Sequence, residues 1–139
     1  MNKQEEFNAN NWLVKVGLRP TQQRVSLVKL LLGKKRYQHI TAEELFKKAK
    51  MAKIPVSLAT IYNTLHIFSQ AGLLKKIVVD KVRCYFDTRL DNHSHFYWEE
   101  SGELSDAPGN FLKIKNLPNP PKNYDITNVD IIIRLKEKS

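Results

Sequence analysis

The side chains best suited to chemistry on a partner lie between Pro55 and Gly72. Ala59, Thr60, Tyr62, Asn63, Thr64 and His66 fall on one side of a helical repeat, opposite Leu58, Ile61, Leu65 and Phe68. The polar side offers hydroxyl, amide, phenol and imidazole groups and no carboxylate. Such groups donate to and accept from base edges, and a face free of carboxylates enters a major groove without repelling phosphate. An ordinary solvated helix presents a similar face, so the surrounding chain has to decide. The other groups able to ligate or react are His39, His93, His95 and a single cysteine, Cys84. Each histidine can equally be a hydrogen-bonded surface residue. One cysteine excludes an intramolecular disulfide and fits a reducing compartment, so cytoplasm is the expected location.

Local signals mark the elements that would carry these groups. Ser57 is suited to cap the 58–70 helix, Val56 and Ile61 have hydrophobic-staple spacing, and Gly72 suits a left-handed helix end. Upstream, residues 4–17 form a weak amphipathic helix on Phe7, Trp12, Leu13 and Val16. Leu18-Arg19-Pro20 is extended, and Thr21 caps a second helix with Val25, Val28, Leu31 and Leu32 inward and Gly33 at its end. Lys34-Lys35-Arg36 is a basic loop. Thr41 and Glu44 make a capping box for a third helix that Ile54-Pro55 ends near Lys53. Leu73 to Val79 and Val82 to Phe86 are strands around an Asp80-Lys81 turn. Four helices followed by a hairpin suit a winged helix, whose last helix enters the major groove while the hairpin touches backbone.

Charge divides the chain. Residues 1–90 hold 17 Lys/Arg against 6 Asp/Glu, a balance of +11, and residues 91–139 hold 6 against 8, a balance of −2, for +9 in total. A basic half joined to a mildly acidic half suggests a polyanion-binding module and a second module of another kind. The 42% apolar content is that of a globular protein. No apolar run approaches the roughly 20 residues needed to cross a bilayer, so no membrane partner is expected.

In residues 91–139, His95 to Trp98 and Glu103 to Ser105 read as short strands, Asn110 to Asn116 as a short helix, and Ile126 to Leu135 as a strand beyond the Pro118-Pro121 linker. That is too little core to stand comfortably alone, and an apolar strand such as Ile131-Ile132-Ile133 is a hazard unless paired. Pairing with a second copy answers both problems, so a homodimer through this half is expected. The fold class is α+β: a winged-helix DNA-binding domain over 1–90 and a small α/β dimerisation and ligand-sensing domain over 91–139.

Leu18-Arg19-Pro20-Thr21-x-x-Arg24, His39-Ile40-Thr41-Ala42-Glu43-Glu44-Leu45, Leu58-Ala59-Thr60-Ile61-Tyr62-Asn63-Thr64-Leu65 and Ala71-Gly72-Leu73 resemble the Fur superfamily of metal-responsive transcriptional regulators. The resemblance covers nearly the whole chain. His93-Ser94-His95-Phe96-Tyr97 and Pro120-Pro121-Lys122-Asn123-Tyr124-Asp125-Ile126 resemble its iron response regulator branch, which controls iron and haem genes. The resemblance implies a double-stranded DNA operator as partner and a DNA-contact set of Arg19, Thr21, Arg24, Ser57, Thr60, Tyr62 and Asn63. Arg19 matches a position that probes the minor groove, where a cation is favoured, and Tyr62 matches a base-contacting position. Asn63 can bond adenine in bidentate fashion; other members often have Arg there. His39, Asp87, His93, His95 and Asp106 match the family's regulatory site, a donor set suited to Fe(II), Mn(II) or Zn(II).

The departures are specific. Where many members hold structural zinc with two Cys-x-x-Cys pairs, this chain has Trp98 and Ser101 and no second pair, so no structural cysteine zinc site is expected. Asn92 and Ser94 replace ligands of a second His/Asp site. Haem is the other ligand the resemblance suggests, with His93 or His95 as axial candidates, although Cys84 is followed by Tyr85 and no Cys-Pro occurs. The chain is therefore expected to be a regulator of iron and haem metabolism and not an enzyme. The competing readings are a metalloenzyme built on the His/Asp site and a basic RNA-binding module. The first lacks an evident nucleophile or base, the second the aromatic stacking clusters of such modules.

Overall fold

The computed structural model describes residues 3–33, 37–109 and 115–139, with side chains from Ala9 onward. The expected basic loop at 34–36 and most of the expected helix at 110–116 lie outside the described residues. The chain divides into two compact units, Met1–Leu90 and Asp91–Ser139. Its elements are mixed α and β, as expected.

The first unit holds α1 (Lys3–Lys15), α2 (Gln22–Leu32), β1 (His39–Ile40), α3 (Ala42–Met51), α4 (Leu58–Gln70), β2 (Lys75–Val78) and β3 (Cys84–Asp87). Three helices start on side-chain caps. Thr21 accepts from the Arg24 N–H, Thr41 from Glu44 and Ser57 from Thr60, each satisfying one unpaired first-turn donor. Gly72 follows α4 at φ +86°, a conformation glycine adopts without a Cβ clash. At the end of α3 the same position is Lys53, at φ +59°, and Ile54 N–H bonds back to the Ala49 carbonyl.

Leu13, Leu27, Leu31, Ile40, Leu45, Ile61, Leu65, Phe68 and Leu73 form one buried core that all four helices share. Several face assignments need correcting. Thr64, expected outward on α4, is buried, and Leu58, expected inward, is half-buried. Leu27 is buried where Val25 and Leu32 are only half-buried, and Trp12 is exposed. The buried arc on each helix is set by where its neighbours pack, and that rotates it slightly from the arc hydrophobicity alone suggests.

The hairpin is longer-looped than Asp80-Lys81 predicted. β2 ends at Val78 and β3 begins at Cys84. Asp80 Oδ1 accepts from the N–H groups of Val82 and Arg83, both at 2.8 Å, so its side chain organises a wider loop in place of a two-residue turn. An unforeseen short strand, β1, joins the hairpin, giving the sheet order β1-β3-β2, with both pairings antiparallel.

The second unit is a sheet of β4 (His95–Trp98), β5 (Glu103–Asp106) and β6 (Ile132–Leu135) in the order β5-β4-β6. β4 pairs antiparallel with β5 and parallel with β6. The strand expected over 126–135 is reduced to its last four residues. β4 has only four residues to offer, so the chain from Ile126 to Asp130 runs extended and exposed without ladder bonds.

Candidate metal centre and nucleic-acid interface

Strand register assembles the metal-ligating side chains in each unit. In the first, β1 and β3 place His39 directly opposite Asp87. Directly paired residues in antiparallel strands project their side chains from the same face, within reach of one another. His39 Nε2 accordingly lies 3.1 Å from Asp87 Oδ2. Asp87 is fully buried, and its other oxygen accepts from the Arg89 N–H at 2.9 Å. A buried carboxylate with one oxygen bonded to backbone and the other to imidazole has a fixed orientation. Gln38 braces the strand: it exchanges bonds with Thr88 through its own N–H (2.9 Å) and carbonyl (3.1 Å), and its amide reaches the Leu30 and Leu31 carbonyls of α2.

In the second unit the same device recurs. β4 and β5 place His95 opposite Asp106. Asp106 Oδ1 lies 2.9 Å from His93 Nε2 and 3.6 Å from His95 Nε2, and the three side chains each offer a ligand atom within 4.8 Å of the others. The His93 and His95 rings are 4.3 Å apart. His93 Nδ1 lies 2.7 Å from the Asp91 carbonyl, which can hold that nitrogen as the N–H tautomer and leave Nε2 to face Asp106. A carboxylate oxygen facing two imidazole nitrogens can accept an N–H from them or share a metal ion with them. Neutral imidazole with carboxylate suits divalent iron, manganese or zinc. Each half-set therefore has the donor chemistry of a divalent-metal site.

The Trp98 and Ser101 side chains, where the resemblance implies a cysteine pair in other members, hydrogen-bond locally. Trp98 Nε1 donates to Ser105 Oγ at 2.9 Å, and Ser101 Oγ accepts from the Glu103 N–H at 3.3 Å.

The expected DNA-contact residues fall into two groups within the first unit. Arg19 is exposed; its carbonyl accepts from Arg24 Nη1 at 3.1 Å, so part of the Arg24 guanidinium is engaged in shaping the approach to α2. Gln23 Nε2 reaches the Pro55 carbonyl at 3.3 Å, tying the first turn of α2 to the segment entering α4. Thr21 and Ser57 are caps, and the Thr60 hydroxyl lies 2.9 Å from Ser57 Oγ. Tyr62 and Asn63 are exposed and share the rim of a recess of ≈ 370 Å³ with His66, Lys76, Arg83 and Glu43.

Glu43 is the neighbour of Tyr62 that sequence reading missed. It belongs to α3, and its carboxylate accepts a hydrogen bond from the Tyr62 hydroxyl. That bond, then desolvation and the nearby negative charge, hold the Tyr62 phenol above its ordinary pKa. The carboxylate-free face of α4 thus acquires a carboxylate from its neighbour. The available signal was Thr41-Ala42-Glu43-Glu44, in which the capping box uses Glu44 and leaves Glu43 without an assigned role. Cys84 is half-buried beside the same recess; burial raises its thiol pKa and Lys76 partly offsets this.

Among the described residues, no helix is long and apolar enough to cross a membrane. Residues 15–133 match the ferric uptake regulator family. The chain is 32% identical over 117 residues to the peroxide-responsive repressor PerR of Staphylococcus epidermidis, covering 83% of this chain and 76% of that one. Its fold is that of the ferric uptake regulator from Pseudomonas aeruginosa with manganese (TM-score 0.70, 22% identity, 94% of this chain and 98% of that one). It is also that of the Vibrio cholerae ferric uptake regulator (TM-score 0.69, 24% identity, 91% and 98%). With the match running over most of its length, this chain belongs to the ferric uptake regulator family of transcriptional regulators.

Proposed function

We propose that the protein is a homodimeric, sequence-specific DNA-binding repressor whose affinity for its operator is set by a divalent metal. The N-terminal unit, residues 1–90, is the reader, with Arg19, Thr60, Tyr62 and Asn63 supplying specificity and the basic balance of +11 supplying phosphate attraction. The C-terminal unit, residues 91–139, is the dimerisation and sensing part. The sensor residues are those that the resemblance implies: His39 and Asp87, and His93, His95 and Asp106. The observation that carries this reading is the repeated cross-strand His–Asp pairing, His39 with Asp87 and His95 with Asp106.

The relatives support it in kind: one is a repressor by name, and a structural neighbour was solved with manganese. Iron and haem genes are the regulated class, as the resemblance to the iron response regulator branch implies. A small ion suits His95, which is buried within the sheet, better than a porphyrin does. The deciding experiment titrates iron(II), manganese(II), zinc(II) and haem into the full chain and measures affinity for a selected operator, in wild type and in His93→Ala/His95→Ala. A metal-dependent change of about tenfold or more that the double variant loses is expected. Identical affinities under every ligand would remove the sensor and leave the DNA reader standing.

A further inference from the structure

A carboxylate is out of place on a surface that approaches phosphate. Glu43 nevertheless sits at the rim of the α4 recess, among Asn63, His66, Lys76 and Arg83. Like Glu44, it adds an acidic group to the first turn of α3, which favours the helix. It also accepts a hydrogen bond from the Tyr62 hydroxyl.

A phenol has one proton and two lone pairs. With the proton committed to Glu43, the Tyr62 oxygen has only lone pairs left for a base edge. In the major groove the donors are the exocyclic amino groups of adenine and cytosine; guanine O6 and N7 and thymine O4 are acceptors. We infer that Glu43 is a specificity-determining positioning residue: by accepting the Tyr62 O–H as a hydrogen bond, it makes Tyr62 a reader of an adenine or cytosine amino group and a discriminator against guanine or thymine at the same step. A carboxylate is a stronger acceptor than a neutral base carbonyl, so the Tyr62 O–H stays directed at Glu43 when a base edge arrives. The raised Tyr62 pKa agrees with a proton held in this bond. The inference rests on the proposed seating of α4 in the major groove.

Transition substitutions test it directly. Adenine to guanine, or cytosine to thymine, exchanges a donor for an acceptor at one major-groove position while keeping the purine–pyrimidine order. Duplexes are first enriched from a randomised pool with the full-length wild-type protein. Each position is then changed by transition, and the affinity ratio is measured for wild type, Glu43→Ala, Tyr62→Phe and the double variant. At one position per half-site, wild type is expected to favour the amino-bearing base about tenfold. Both single variants should bring that ratio towards one, and the double variant should do no more. Ratios at other positions, and thermal unfolding, should stay close to wild type, which separates positioning from damage to the fold. A Glu43→Ala protein that keeps the wild-type ratio at a Tyr62-dependent position overturns the inference. So does a wild-type preference for the acceptor base there, or a Tyr62→Phe profile unchanged at every position. If wild type enriches no duplex, the DNA-reading proposal itself fails, a result distinct from any of these.

Discussion

Asp87 and Asp106 are the same residue type in the same kind of cross-strand pair, but their surroundings differ. The Asp87 side chain is 0% exposed and bonded to both His39 and the Arg89 N–H, whereas that of Asp106 is 32% exposed. Removing a buried acceptor leaves its partners unsatisfied, so Asp87→Ala should destabilise the metal-free protein by about 1–3 kcal/mol. Asp106→Ala should destabilise it less, since water can enter beside a carboxylate that is already partly exposed. If both aspartates are ligands, both variants should still lose metal affinity by an order of magnitude or more. Urea denaturation without metal and metal titration followed by calorimetry separate the two effects. An Asp106→Ala protein with wild-type metal affinity would take that residue out of the site.

At the scale of elements, the ends were easier to read than the faces. Thr21, Thr41 and Ser57 were placed as caps from local chemistry, because a short hydroxyl side chain ahead of an apolar repeat has few other uses. What escaped was set by partners distant in sequence. β1 is two residues long and carries no strand signal of its own; it forms because β3 lies beside it. Thr64 is buried because the core needs a side chain at that angle of α4. Glu43 meets Tyr62 across 19 residues, a contact that no local pattern encodes. The five metal-ligand candidates came from resemblance, and the register of two sheets supplies the physical reason that each half-set converges. One end departs from local preference. Lys53 holds a left-handed φ of +59° at the end of α3, where glycine avoids a cost of about 1–2 kcal/mol. Lys53→Gly regains part of that and loses some to the greater freedom of the unfolded chain. A net gain of about 0.5–1 kcal/mol is expected, read as a higher urea midpoint at unchanged slope. A lower midpoint would mean that the lysine side chain contributes more than its backbone costs.

At the scale of the whole molecule, the C-terminal unit poses the question of how it is completed. Among the described residues its sheet has three strands of four residues each, with β6 at one edge. Just before β6, Ile126 and Val129 are 44% and 39% exposed. A unit of 49 residues buries too little apolar surface to leave such side chains in water at no cost. The proposed dimer would cover them, and pairing two readers would convert the second DNA contact into an intramolecular event. Avidity of that kind strengthens binding by about 10²–10⁴ without any new contact to DNA. Ile126→Asp/Val129→Asp tests this with little risk to the monomer, because neither side chain is part of the described core. The double variant should sediment as a monomer at concentrations where wild type is a dimer. Its operator affinity should fall by about two orders of magnitude, and the slope of log affinity against log salt should fall to about half, since half the phosphate contacts are lost. The salt slope guards against a trivial result: a variant that stays dimeric but binds weakly would keep the full slope. A variant that remains a dimer with unchanged affinity would place the partner surface elsewhere on the C-terminal unit.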